Sequence, residues 1–324
     1  MNHSTTKLFN IVNRFFLVWV SCFFIASCSN HSALQKPTIQ LKITQVSENV
    51  FAAIGDTNAP SYENAGHNNN LTFIITSDGV VVVNGGDNYL LAESLHFQIK
   101  LRTQQPVKLV INENGQGHAF LGNSYWQQQG VDIIAHKEAI EEIKKHGHES
   151  LATMQKRNKE KSKNTSIVFP NLSFEDKKII ILGDTVIELI RFGGAHSPGD
   201  ISVWLPQQQL IITGDMAFHQ RLLGVFPYTV TADWVSSFNK MRELPIKKVI
   251  PGHGSPTDLA TITKYTRDYL VYLREQCAAI IEDDGDMNDA YEIDQSAYSD
   301  QDVFDILARK NAGRIFREVE EASF

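Results

Sequence analysis

Four consecutive valines at 80–83, entered directly from Gly79, are the strongest single constraint on how this chain can fold. Successive side chains of a strand point to opposite faces, so an unbroken apolar run leaves no polar face for water. Such a strand needs cover on both sides, as in the interior of a layered sheet. The 324 residues, 42% of them apolar, supply material for one large layered domain or two modest ones.

Around that run, short apolar segments bounded by turns read as strands at 41–44, 50–54 and 71–75. A helix at 89–101, a strand at 107–111, a helix after Gly122 and a strand at 131–134 follow. Residues 137–163 carry Glu141, Glu142, Lys144 and Lys145 among sparse apolar positions. A solvated helix accounts for that pattern, and a flap over a site is the alternative. A second strand-rich stretch covers 178–182, 185–192, 201–205 and 210–213, and a helix at 232–244, a strand at 248–250 and a long helix at 259–281 complete it. The order β-rich, βα, β-rich, βα predicts an α+β fold, a four-layer αββα sandwich of two mixed sheets with helices outside. Beyond it, Glu282, Asp283, Asp284 and Asp286 begin an acidic link, within 282–324, to a helix at 302–321. Gly285 has no acidic residue five positions before it, which a calcium loop of the helix-loop-helix type requires.

At the N-terminus, Lys7 and Arg14 precede an apolar run at 15–26 that is too short to span a bilayer and has the layout of a secretory leader. The run ends in Ile25-Ala26-Ser27-Cys28, which resembles a bacterial lipobox. Residues 1–27 then form a lipoprotein signal peptide, a lipid on Cys28 anchors the chain, and polar residues 28–37 tether the folded domain, 38–281. An ordinary signal peptide cut nearby, or a retained anchor, is the alternative. A lipid anchor places the domain in the cell envelope facing the periplasm, on the outer membrane in preference to the inner. Of Cys22, Cys28 and Cys277, only Cys277 remains beside the anchor, so no intramolecular disulfide is expected, and Cys277 reads as a buried helix residue. With 30 basic against 37 acidic residues, the chain lacks the cationic excess that nucleic acid requires of a partner.

Three segments share one arrangement, a strand that ends followed at once by a His or Asp among glycines. They are Gly193-Gly194-Ala195-His196-Ser197-Pro198-Gly199-Asp200, Ile212-Thr213-Gly214-Asp215 and Val249-Ile250-Pro251-Gly252-His253-Gly254. In a layered fold strand ends converge on one edge, so ligands distant in sequence can meet there.

In these motifs the chain resembles the metallo-β-lactamase superfamily, whose zinc hydrolases carry a histidine in H-T/S-P-G-D, an aspartate after a G-D strand end and a histidine in P-G-H-G. The turn at Ser77-Asp78-Gly79 and Asn84-Gly85-Gly86 extend the resemblance over most of 38–281. The family signature H-x-H-x-D-H is altered. With Asn112 and Gly122-Asn123 fixing the register, Asn114 and Gln116 replace its first two histidines, His118 its aspartate and Ala119 its last histidine.

Carboxamides are weak ligands for transition metals, so the resemblance implies that the first metal position is crippled. His118, Asp215 and His253 would hold one ion, zinc or alternatively iron, with open coordination positions. His196 is a fourth ligand or a proton shuttle with a pKa near neutrality. Asn114 and Gln116 would hydrogen-bond substrate or oxyanion. Two functions follow: a mononuclear metallohydrolase acting on an ester, thioester or amide of a small molecule, or a non-catalytic envelope lipoprotein using the fold to bind a small molecule or a protein. His96, His136, His146, His148 and His219 read as structural, and His67, in a polar loop, is placed to reach the pocket mouth or merely to form a turn.

Overall fold

The computed structural model describes residues 36–323. The leader, Cys28 and the tether up to residue 35 lie outside the described residues.

Seven strands form the first sheet in chain order: β1 (Ile43–Gln45), β2 (Val50–Ala53), β3 (Leu71–Thr76), β4 (Gly79–Val83), β5 (Val107–Asn112), β6 (Asp132–His136) and β7 (Leu172–Phe174). β1 to β4 pair antiparallel, and β4 to β7 run parallel. The second sheet holds β8 (Lys177–Leu182), β9 (Thr185–Ile190), β10 (Ser202–Leu205), β11 (Leu210–Phe218) and β12 (Lys248–His253), in the order β12-β11-β10-β9-β8. Only β11 and β12 are parallel there.

The valine strand β4 is buried throughout. Val81 and Val83 pack with Ile187, Leu189, Val203 and Ile212 of the second sheet, whereas Val80 and Val82 pack with Leu91, Leu95 and Trp126 on the outside. Those outer residues belong to α1 (Tyr89–Lys100) and α3 (Asn123–Gln128), the latter preceded by the single turn α2 (Gly117–Phe120). Later in the chain come α4 (Lys137–Asn158), α5 (Thr231–Met241), α6 (Leu259–Ile262), α7 (Tyr269–Glu282), α8 (Met287–Tyr291) and α9 (Phe304–Glu321). Trp234, Phe238, Leu270, Leu273, Cys277 and Phe316 of α5, α7 and α9 cover Trp204, Ile211 and Val249 on the far face of the second sheet. The result is the expected αββα sandwich.

Two local features differ from the sequence reading. The helix expected at 259–281 is interrupted by a π-helical stretch, Thr263–Asp268. Within it Thr266 Oγ1 donates to the carbonyl of Phe218 (3.0 Å) and accepts from its amide (2.9 Å), tying the widened turn to the end of β11. The segment after 281 packs into the same core: Ala308, Ala312, Ile315 and Phe316 of α9 are buried there. Asn311, fully buried, donates to the carbonyl of Leu223 (2.8 Å) and accepts from the amide of Val225 (2.9 Å).

Because β4 and β5 are parallel, their C-terminal ends face one edge, and β3, antiparallel to β4, begins there with Thr72 opposite Val83. The ends of β11 and β12 meet the same edge. Asn70, just before β3, takes the carbonyl of Gly252 on its amide (2.8 Å) and that of Pro251 on its side chain (2.8 Å). The amide of Ile201 binds the carbonyl of Glu113, directly after β5 (2.9 Å).

Candidate metal centre

Asp215 is the hub of this edge. It sits in β11 where the register with β12 slips, directly after Gly214. Gly214 has φ +56°, and a Cβ there would lie 1.1 Å from Glu113 Oε2, so only glycine lets the strand end pass this carboxylate. Glu113 in turn accepts the amide of Asp215 (2.7 Å) and fixes the turn that presents the aspartate.

Three imidazoles surround Asp215. His118 Nε2 lies 3.5 Å and His196 Nδ1 3.4 Å from its Oδ2, and His253 Nε2 lies 3.3 Å from Oδ1. Asn114 Nδ2 donates to Oδ2 and Asn69 Nδ2 to Oδ1, each at 3.3 Å. Gln116 Nε2 lies 2.9 Å from His196 Nδ1. The residues that the sequence reading singled out, Asn114, Gln116, His118, His196, Asp215 and His253, are therefore gathered at one spot, although they come from four separate segments.

Ligand chemistry separates them. Zinc bonds of about 2.0–2.1 Å to nitrogen or oxygen put tetrahedral ligands about 3.3–3.4 Å apart, whereas a charge-assisted hydrogen bond is about 2.7–2.9 Å. The imidazole–carboxylate separations of 3.3, 3.4 and 3.5 Å match the former. Glu113, His118 and Asp215 each offer a ligand atom within 4.8 Å of the others, and His118 Nε2 lies 3.3 Å from Glu113 Oε1. His253 keeps a buried Nδ1 with no hydrogen-bond partner. The donor set fits a divalent ion, and the set nearest to closing around one is Glu113, His118 and Asp215, with His253 against the second oxygen of Asp215. At His196 the Nδ1 lone pair cannot both accept from Gln116 and ligate.

Glu113 carried no assignment in the sequence reading. A carboxylate two residues after the strand read at 107–111, where strand ends converge, was the available signal. Asn84 and Asn69 were also missed. Asn84 Nδ2 donates to Glu113 Oε1 (2.8 Å) and to Asn69 Oδ1 (3.0 Å). Asn112 and Asn123, which fix the register of the altered signature, exchange side-chain hydrogen bonds of 2.8 and 3.1 Å.

Electrostatics follow from burial and this crowding. Burial alone would raise the pKa of Asp215, but the charge of His118, the hydrogen bond from His253 and the charge of His196 outweigh it and hold it well below the carboxylate range. Burial would lower His118, and the carboxylates of Asp215 and Glu113 overturn that and push it up to about 9. His196 goes the other way. Burial among Phe218, Phe226 and Trp234, whose rings lie 5.0–5.5 Å from its own, lowers it to about 4 against the pull of Asp215. The pKa of His196 thus lies below the near-neutral value expected of a shuttle.

The hub forms the floor of a cleft of about 790 Å³. One wall is α4, whose Glu138, Glu142, Lys145, Glu149, Thr153 and Arg157 fall on one helical stripe. The charged helix read as a solvated face is thus a wall of the site, because its polar stripe lines the cleft. His146 lines that cleft too, contrary to its structural reading. His96, bonded to Tyr125 Oη (2.8 Å), and His136, accepting from the amide of Glu138 (3.2 Å), are structural. His67 lines a separate cavity with Thr38 and Lys161, so it does not reach the mouth of the cleft.

The model of the Metallo-beta-lactamase superfamily matches residues 118–253, an interval that opens on His118 and closes on His253. The chain belongs to the metallo-β-lactamase superfamily. Across 250 residues it is 26% identical to the Metallo-beta-lactamase type 2 of Bacillus sp. (strain 170), which covers 72% of this chain and 88% of that protein. It is 26% identical over 107 residues to the Acyl-coenzyme A thioesterase MBLAC2 of Homo sapiens, covering 32% of this chain and 38% of that enzyme. The fold is similar to that of a metallo-beta-lactamase from Pontibacter korlensis, with TM-score 0.59, 20% identity, and coverage of 71% of this chain and 99% of that one. Within the superfamily, this member places carboxamides at two positions where the signature has histidines.

Proposed function

We propose that this chain is a metal-dependent hydrolase that opens an ester, thioester or amide carbonyl, with a single ion, zinc or alternatively iron, held by Glu113, His118 and Asp215 and with His253 at the second oxygen of Asp215. One observation carries the reading: the two oxygens of a single buried carboxylate are shared among three imidazoles at 3.3–3.5 Å on the floor of a cleft. When bound, such an ion supplies Lewis acidity and lowers the pKa of water toward neutrality. The chain's own residues do the rest. Gln116 and Asn114 each spend one N–H on His196 and Asp215 and have a second for a carbonyl oxygen as it gains charge. His196, neutral and caged by aromatic rings, orients Gln116 and acts through it. The lipobox at Ile25-Ala26-Ser27-Cys28 supports action from a lipid anchor in the envelope, facing the periplasm, on the outer membrane in preference to the inner.

A second reading, a non-catalytic lipoprotein that binds a small molecule or a protein, draws on a specific observation. Asn69, Asn84 and Asn114 donate to the carboxylates of Glu113 and Asp215, so the chain partly satisfies them without an ion. Elemental analysis of the purified protein separates the two readings. The hydrolase holds about one zinc or iron per chain, loses it in Asp215→Asn and His253→Ala, and cleaves 4-nitrophenyl acetate only when loaded. A protein free of metal in every form and inert toward esters, thioesters and amides overturns the hydrolase.

A further inference from the structure

Beside the candidate centre the cleft is built for something apolar. Phe218 stacks on His253 with ring centres 4.7 Å apart, and Phe226 meets His196 edge-on at 5.0 Å. From Phe226 the apolar surface continues outward: Tyr228 stacks on it at 5.5 Å, and Leu307 of α9 joins the lining, with Leu121 and Met154 completing it. Within this lining Phe226 is 37% and Tyr228 47% exposed. Large side chains left open to water in one neighbourhood mark a binding surface, because a monomer seldom leaves such a patch uncovered without use. This one runs without a break from solvent to the rings that pack on the metal-centre imidazoles, so an occupant lying along it brings its polar end to Asp215.

The charges in the cleft say what that end carries. Asp87, Glu138, Glu141, Glu142, Glu149 and Asp215 line it against Lys145, Arg157 and Arg221. Of the cations, Arg157 is committed to Asp87, and Arg221 donates to the carbonyl of Thr57 (2.7 Å). Glu138 is likewise paired with Arg191 and Glu141 with Lys144, so the lining offers no cluster of free cations that could hold a polyanionic leaving group.

We infer that the substrate is an apolar acyl chain joined through its carbonyl to a leaving group that is not polyanionic, with the chain lying along Phe226, Tyr228 and Leu307. This rests on the hydrolase reading and narrows it. Acyl-coenzyme A, the substrate in the name of the relative MBLAC2, carries phosphates for which this cleft has no cluster of free cations.

The test uses the full chain, kept in the same detergent for every variant, and the 4-nitrophenyl esters of acetate, butyrate, hexanoate and octanoate. Transfer of a methylene from water to an apolar site predicts that kcat/KM rises roughly threefold to fourfold per added carbon. Tyr228→Ala and Leu307→Ala flatten that slope, while the detergent contribution is common to all forms. The N-acetylcysteamine thioester of octanoate is cleaved at least tenfold better than octanoyl-coenzyme A. Equilibrium dialysis of labelled 1-octanol against 1-butanol adds a readout that needs no turnover. Hydrolysis with no dependence on chain length, or a slope that both variants leave intact, overturns the inference and spares the hydrolase. Preference for the coenzyme A ester overturns it as well. If no ester is cleaved but octanol binds more tightly than butanol and both variants weaken it, the apolar-chain site stands and the hydrolase reading falls. Equal binding of the two alcohols overturns the site.

Discussion

Gly214→Ala tests how the fold presents the centre. At φ +56° an L-residue costs about 1–2 kcal/mol relative to glycine. The new Cβ would sit 1.1 Å from Glu113 Oε2, so the carboxylate must leave. Its departure breaks the 2.7 Å bond to the Asp215 amide and the 2.8 Å bond from Asn84, and a buried hydrogen bond to a charged group is worth about 1.5–3 kcal/mol. Together these predict a loss of about 3–5 kcal/mol in guanidinium unfolding of the metal-free protein, with the transition remaining cooperative. The two contributions separate in a double-mutant cycle. In a Glu113→Ala background there is no carboxylate to displace, so Gly214→Ala costs only the backbone component, about 1–2 kcal/mol. An equal cost in both backgrounds would falsify the claim that Glu113 anchors the Asp215 turn, and a loss below 1 kcal/mol in the parent would remove the close approach itself.

Three further outcomes follow from the packing. His96 is lowered to about 4 by burial and then by Lys100, so the unfolded chain takes up its proton near pH 6.5 and the folded chain only near 4. Stability on this account is unaffected above pH 7 and declines as pH falls from 6.5 toward 4, by at most about 3 kcal/mol, and His96→Gln flattens that limb of the melting-temperature profile. Arg157→Ala strands the buried carboxylate of Asp87 beneath the C-terminal end of α4, costing about 2–3 kcal/mol in urea unfolding, and Asp87→Asn in the same background recovers part of it. Phe316→Ala empties a buried position in the core shared by α7 and α9 and costs about 3–5 kcal/mol by calorimetry, whereas a α9 that merely appended to the domain would lose under 1.

The layered fold was legible because its signals are local. The valine run, the alternation of β9 and the placement of glycines after strands each constrain a few adjacent residues, and α+β layering is their only common solution. The convergence of His118, His196, Asp215 and His253 was legible for the same reason, since each lies at or just beyond the C-terminal part of a strand. What stayed hidden depends on contacts between segments far apart in sequence. Glu113 acquires its position from Gly214, about a hundred residues later, and nothing beside it in the sequence marks that approach. The stripe on α4 has the composition of a solvated face, and composition alone does not tell an open surface from the wall of a cleft. The lowered pKa of His196 comes first from burial, beside the rings of Phe218, Phe226 and Trp234, none of which neighbours it in sequence. The C-terminal helix looked peripheral because its linker is acidic, yet Asn311 and Phe316 tie it into the core.

Calorimetric titration of zinc into the metal-free full chain probes the central claim, that imidazoles grouped on one buried carboxylate grip a cation. The account predicts a single class of site filled at about one ion per chain, abolished in Asp215→Asn and weakened at least tenfold in His118→Ala. Heats no different from buffer, or a titration that Asp215→Asn leaves unchanged, would contradict it.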